Sequence, residues 1–170
     1  MKKYLKQTEL LDFKHSSIQN LLLLNGWKNL PPKTKVLNIY NYVRDEIIFG
    51  YNEDDAITAS AVLKDGYGQC NTKSTLFMAL LRAVDIPCRL HGFAINKKLQ
   101  KGAISGIWYA ITPGELMHSW VEVFYNGKWL NLEGFILDQI YLQSVQDKHS
   151  DCTGSFCGYG IATKNLKEPE

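Results

Sequence analysis

Residues 65–90, DGYGQCNTKSTLFMALLRAVDIPCRL, decide how the rest of the chain is read. Leu76, Phe77, Ala79, Leu80, Leu81, Ala83 and Val84 leave little polar face, which predicts a helix buried nearly all round in the middle of a domain. Asp85 and Pro87 end it. Cys70 opens it, behind Gly66-Tyr67-Gly68-Gln69. The two glycines let the chain approach the helix closely. A thiol on the first turn meets free N–H groups and the positive end of the helix dipole, both of which favour a thiolate. The same N–H groups suit an oxyanion formed in acyl transfer.

Upstream, HSSIQNLLLLN (15–25) predicts a helix with Ser16 or Ser17 as N-cap and Gly26 as its stop. Pro31-Pro32 starts the next, where Val36, Ile39, Tyr40, Val43 and Ile47 fall at helical spacing across residues 33–48. Residues 50–55 are polar and turn-like, and 56–64 form a short helix. Downstream, residues 88–95 alternate as a strand. Residues 96–117 mix Lys, Gly and aromatics and are expected to form a loop with one strand inside it. A long loop beside a site commonly serves as a lid or substrate wall, which makes Trp108 and Tyr109 groove candidates. HSWVEVFYNGKWLNLEGF (118–135) places Asn126-Gly127 between two β-rich runs, a strong hairpin signal with strands at 118–125 and 128–135. Residues 136–170 show no clear period and are expected to wrap irregularly, with a mobile end. With no repeat and no linker, the chain reads as a single domain, residues 1–170, with its core at about 33–135.

The 170 residues are 45% hydrophobic and 21% charged, the composition of a soluble globular domain with a real core. A net charge of +2 argues against nucleic acid as a partner. Leu21–Leu24 is far short of the ~20 apolar residues of a membrane span, and no targeting segment is evident, so a cytoplasmic location is expected. Structural disulfides among Cys70, Cys88, Cys152 and Cys157 are then not expected.

A nucleophilic thiol needs a base. With a two-residue loop at 126 and 127, opposed residues of the hairpin have numbers summing to 253, so Trp120 faces Glu133 and His118 faces Phe135. Side chains alternate between faces, which puts His118, Trp120 and Glu133 on one face with His118 and Glu133 as diagonal neighbours. A carboxylate there can hold one imidazole nitrogen, fix the tautomer and stabilise the cation. The sequence thus offers Cys70, His118 and Glu133 as nucleophile, base and orienter; spacing alone does not bring Cys70 to the hairpin.

GYGQCNTKSTLFMALLRAVDIPCRLHGF (66–93), HSWVEVF (118–124), KWLNLEGF (128–135) and the upstream IYNYVRDEIIFGY (39–51) together resemble the transglutaminase-like superfamily, a branch of the papain-like cysteine enzymes. The resemblance covers about residues 33–135. It implies an α+β fold in which the cysteine heads a central helix packed on an antiparallel sheet that carries the histidine and the acid. Cys70 and His118 carry over directly. Most members have Asp at the third position, where this chain has Glu133, so a shift of backbone or rotamer must absorb one methylene. The second oxyanion donor does not carry over by motif; Gln69 and Thr58 are the candidates. Trp120 reads as core or groove wall.

The expected activity is cysteine-dependent acyl transfer through a Cys70 thioester, on a peptide, protein or small amide substrate, with hydrolysis favoured over transfer to an amine. No metal and no cofactor is expected. The alternatives are a non-catalytic binding or scaffold module with the same fold, and a metal or redox site at His149, Cys152 and Cys157, whose C-x4-C spacing lacks a second pair.

Overall fold

The first helices differ in how their free N–H groups are met, and the cap is not always the expected residue. In the computed structural model, which describes residues 1–169, helix α1 (Ser16–Leu24) is capped by His15, whose ring nitrogen accepts from the Ser17 N–H at 3.3 Å. The cap is therefore neither Ser16 nor Ser17. Gly26, at φ 64°, ends this stretch. Helix α2 (Pro32–Asp45) begins with proline in the first turn, where its missing N–H costs nothing, and buries Val36, Ile39 and Val43. It stops short of Ile48 because Ile48–Phe49 form strand β1.

Helix α3 (Ala59–Asp65) starts three residues later than expected, where the Thr58 hydroxyl accepts from the Ala61 N–H. Gly66 at φ 71° turns the chain into strand β2 (Tyr67–Gly68), which pairs in parallel with β1, Ile48 against Tyr67 and Phe49 against Gly68. Helix α4 (Cys70–Ala83) follows at once. A Cβ on Gly68 would lie 2.6 Å from the Thr72 hydroxyl, so this sharp entry requires glycine. As its apolar run predicts, α4 is the central helix, buried at Thr72–Ser74 and from Leu76 to Arg82.

Strands β3 (Cys88–Asn96), β4 (Glu115–Tyr125) and β5 (Lys128–Leu132) form a sheet in the order β3-β4-β5. Asn126 (φ 48°) and Gly127 (φ 81°) make the expected two-residue turn with both residues left-handed. The antiparallel register runs from Tyr125 against Lys128 to Val121 against Leu132, so the residue numbers sum to 253 as expected. The ladder ends there, and Glu133 and Phe135 lie beyond it rather than inside β5.

Contacts gather the chain into two compact units, Met1–Gly92 with Ser119–Asp138 and Phe93–His118 with Gln139–Glu170. The first holds α1–α4 and their core. Its 134–138 segment is nailed to α4: Phe135 is fully buried, 4.7 Å from the Phe77 ring and 6.2 Å from Tyr40. The second unit departs from expectation twice. Residues 96–117 carry a 3-10 turn (Lys97–Gln100) and helix α5 (Gly106–Ile111) before β4 begins, instead of an inner strand. Residues beyond 138 form helix α6 (Gln139–Lys148) and a hairpin of β6 (Phe156–Gly158) and β7 (Ile161–Thr163), instead of irregular wrapping. Helix α5 is too short to show a period, and α6 buries only Val145, so neither displays an apolar stripe. The expected mobile end reaches Glu170, outside the described residues. The protein is α+β, with helices α1–α4 preceding the three-stranded sheet along the chain.

Phe77→Ala removes the ring that packs on Phe135 and Tyr40, and is expected to cost about 3–5 kcal/mol. Leu24→Ala, at a position 85% exposed, is expected to stay within about 0.5 kcal/mol. Urea unfolding midpoints of both variants check the contrast.

Candidate active site around Cys70

Cys70 occupies the first turn of α4, and the capping there is reciprocal. The Gln69 side chain accepts from the Thr72 N–H, while the Thr72 hydroxyl accepts from the Gln69 N–H at 3.0 Å. The Gln69 amide is further committed: its oxygen accepts from the Asn52 N–H at 3.0 Å and its nitrogen donates to Asp55. Gln69 thus braces the helix start with the side chain proposed for an oxyanion. Thr58 is likewise occupied as the cap of α3, with its hydroxyl 3.1 Å from that of Ser60. The N–H groups of Cys70 and Asn71, by contrast, belong to the turn in which a helix offers no carbonyl partner of its own.

Asn71 is the hub beside the thiol. Its nitrogen donates to Asp55 at 2.7 Å, and its oxygen accepts from the Ser119 hydroxyl at 2.8 Å and from the Cys70 thiol at 3.9 Å. Burial is the largest influence on the thiol and pushes its pKa up. Backbone N–H groups of Ser119 and Asn71 pull it down, and the Asp55 charge pushes it up again. Within this unit the resting group is the thiol, donating to Asn71. Spacing did not reveal Asn71, Ser119 or Asp55; the available signal was adjacency, since Asn71 follows Cys70 and Ser119 follows His118.

Glu133 belongs to the same unit and is exposed one residue past the end of β5. On the sheet, Trp120 stacks on His91 with ring centroids 4.6 Å apart. Glu122 accepts from Arg89 at 2.5 Å, and Arg89 lies 4.2 Å above the Trp129 ring.

His118 closes the first segment of the second unit. It is half-buried with its ring edge-on to Phe93 at 5.2 Å, and burial lowers its pKa, which favours neutral imidazole. Trp108 is 69% exposed on α5, and Tyr109 carries the Lys97 ammonium 5.1 Å from its ring centroid. All four cysteines are free thiols; Cys88 is buried, which pushes it up to about 11. Among the described residues no three His, Cys, Asp or Glu side chains gather as a metal site, and no helix is long and apolar enough to cross a membrane.

Asp55→Asn removes a negative charge that raises the thiol's pKa. The pH midpoint of Cys70 alkylation is expected to move down, read by mass spectrometry of the Cys70 peptide.

The model of the transglutaminase-like superfamily matches residues 26–134. Comparison with curated proteins gives no sequence match. Among solved structures, the fold is similar to a "putative cysteine protease" from Cytophaga hutchinsonii, with 18% identity and a TM-score of 0.61 over 82% of this chain and 43% of that one. It is also similar to the periplasmic domain of TgpA from Pseudomonas aeruginosa bound to ethylmercury, with 15% identity and a TM-score of 0.53 over 82% of this chain and 49% of that one. The chain spans less than half the length of each of these structures. With a buried helix headed by Cys70, an antiparallel hairpin and a family match over most of its length, the chain belongs to the transglutaminase-like superfamily.

Proposed function

We propose that this protein is a cysteine-dependent acyl-transfer enzyme in which Cys70 is the nucleophile, His118 the general base and acid, and Glu133 the residue that orients His118. The observation that supports it most is at the thiol: the N–H of Ser119, the chain neighbour of His118, meets the Cys70 sulphur, and the Ser119 hydroxyl is bound to Asn71. The pKa directions favour a neutral pair at rest, since burial raises the thiol and lowers the imidazole.

In this reading the sulphur attacks an amide carbonyl carbon as its proton passes to the imidazole. The N–H of Cys70 at the helix start receives the oxyanion. The C–N bond breaks, the imidazolium gives its proton to the departing amine, and a thioester remains. Water or an amine, deprotonated by His118, then attacks the thioester and releases an acid or a new amide with the thiol restored. Hydrolysis is the favoured outcome, on a peptide, protein or small amide. Trp108, Tyr109 and Trp120 are proposed to line the groove. A cytoplasmic location belongs to the same reading.

Iodoacetamide labelling of Cys70 across pH tests the dyad. The wild type is expected to label at neutral pH, with an acid limb set by the imidazole. In His118→Ala the buried thiol loses its base, and labelling is expected only above the ordinary thiol value of about 8.5. Identical profiles would leave the non-catalytic binding module as the better account. With a model amide substrate, equal acid release in the presence and absence of an added amine is expected for hydrolysis; acid release that falls as new amide appears would mean transfer.

A further inference from the structure

Lys73 lies three residues after Cys70 on α4, and its side chain has no solvent exposure. Its ammonium donates to three backbone carbonyls: Arg44 at 3.1 Å, Ile47 at 2.6 Å and Ile136 at 2.9 Å. An ammonium has three N–H donors, so the three acceptors satisfy it fully. The Arg44 carbonyl lies in the last turn of α2, where carbonyls lack helical partners and the dipole favours a cation. The charged groups that act on the ammonium are Asp138 and Asp45, which favour it, and Arg44, which opposes it. Desolvation outweighs them and lowers the pKa to about 7.

The positions that Lys73 joins bear on the candidate site. Cys70, Lys73 and Phe77 are spaced three and four apart, so they form one stripe of α4. Phe77 packs on Phe135, and Lys73 holds the carbonyl of Ile136. Asp138, two residues on, accepts from the Phe49 N–H at 2.7 Å, while Lys73 holds the carbonyl of Ile47 at the entry to β1. Glu133 stands immediately before this pinned segment, and β5 does not reach it. The bonds to the 134–138 segment therefore set where Glu133 stands relative to the start of α4.

We propose that Lys73 is a positioning residue of the active site, which registers the Glu133 segment against the Cys70 helix by binding the carbonyls of Ile47 and Ile136 at once. The inference rests on the Cys70–His118–Glu133 reading above and adds a fourth residue that acts through Glu133 without touching substrate.

The test is iodoacetamide labelling of Cys70 in four folded proteins: wild type, Lys73→Met, Glu133→Ala and the double variant, at a temperature well below unfolding. Lys73→Met is expected to slow labelling at pH 7 by about 10- to 100-fold, the scale of a small misplacement. In the Glu133→Ala background the same change is expected to add nothing. A folded Lys73→Met protein with the wild-type profile, or a full additional loss in the double variant, overturns the proposal. His118→Ala labelling like wild type is a different failure, that of the dyad itself, and takes this proposal with it. If Lys73→Met does not fold, hydrogen exchange on the unaltered protein decides. The amides of residues 135–138 are expected to be protected together with α4; fast exchange there beside a protected α4 overturns the proposal.

Discussion

A buried ammonium is the constraint on which the first unit turns. Taking a lysine out of water costs several kcal/mol unless its donors are all met. In α4 they are met by carbonyls from three separate stretches of chain: the end of α2, the entry to β1 and the segment after β5. The Arg44 carbonyl lies in the last turn of α2, and those of Ile47 and Ile136 lie outside helix and strand, so none has a partner through regular pairing. Meeting the buried nitrogen's donors therefore selects one arrangement of these stretches about the helix. Apolar packing of Phe77, Phe135 and Tyr40 supplies bulk stabilisation at the same place, but such rings tolerate sliding that three directed hydrogen bonds do not.

At the other end of the same stripe, polar chemistry is arranged around Cys70. Asp55 holds both Gln69 and Asn71, so the amide beside the thiol is oriented by a carboxylate. The Asn71 oxygen then faces the sulphur as an acceptor. Such an acceptor stabilises S–H over S⁻, as does burial, while the Ser119 and Asn71 N–H groups act in the opposite direction. Burial and the Asn71 acceptor together favour the protonated thiol at this position.

Much of the first unit was legible in the sequence because its signals are local. The apolar run after Cys70 made α4, Asn126-Gly127 fixed the hairpin register, and the glycines at 66 and 68 marked the tight entry to the helix. What escaped left weaker signals. His15 displaced Ser16 and Ser17 as cap through its ring nitrogen, which a pattern of hydroxyl caps does not include. Strand β5 ended at Leu132 because Phe135 turns into the core, taking Glu133 out of the ladder that its spacing implied. Helices α5 and α6 bury too little to advertise themselves. Lys73 did leave a signal, a cation on the same stripe as Cys70 and Phe77 in a helix apolar nearly all round, and such a residue is almost never fully buried without partners.

The central claim is that Cys70 forms an acyl-enzyme with the help of His118. The most direct measurement treats the protein with p-nitrophenyl acetate and follows both the nitrophenolate burst and the site of acetylation by peptide mass mapping. The account predicts a burst near one equivalent, with the acetyl group on the Cys70 peptide, and loss of both in His118→Ala. Acetylation confined to the more peripheral thiols Cys152 and Cys157, or a Cys70 adduct formed equally in the variant, would contradict it.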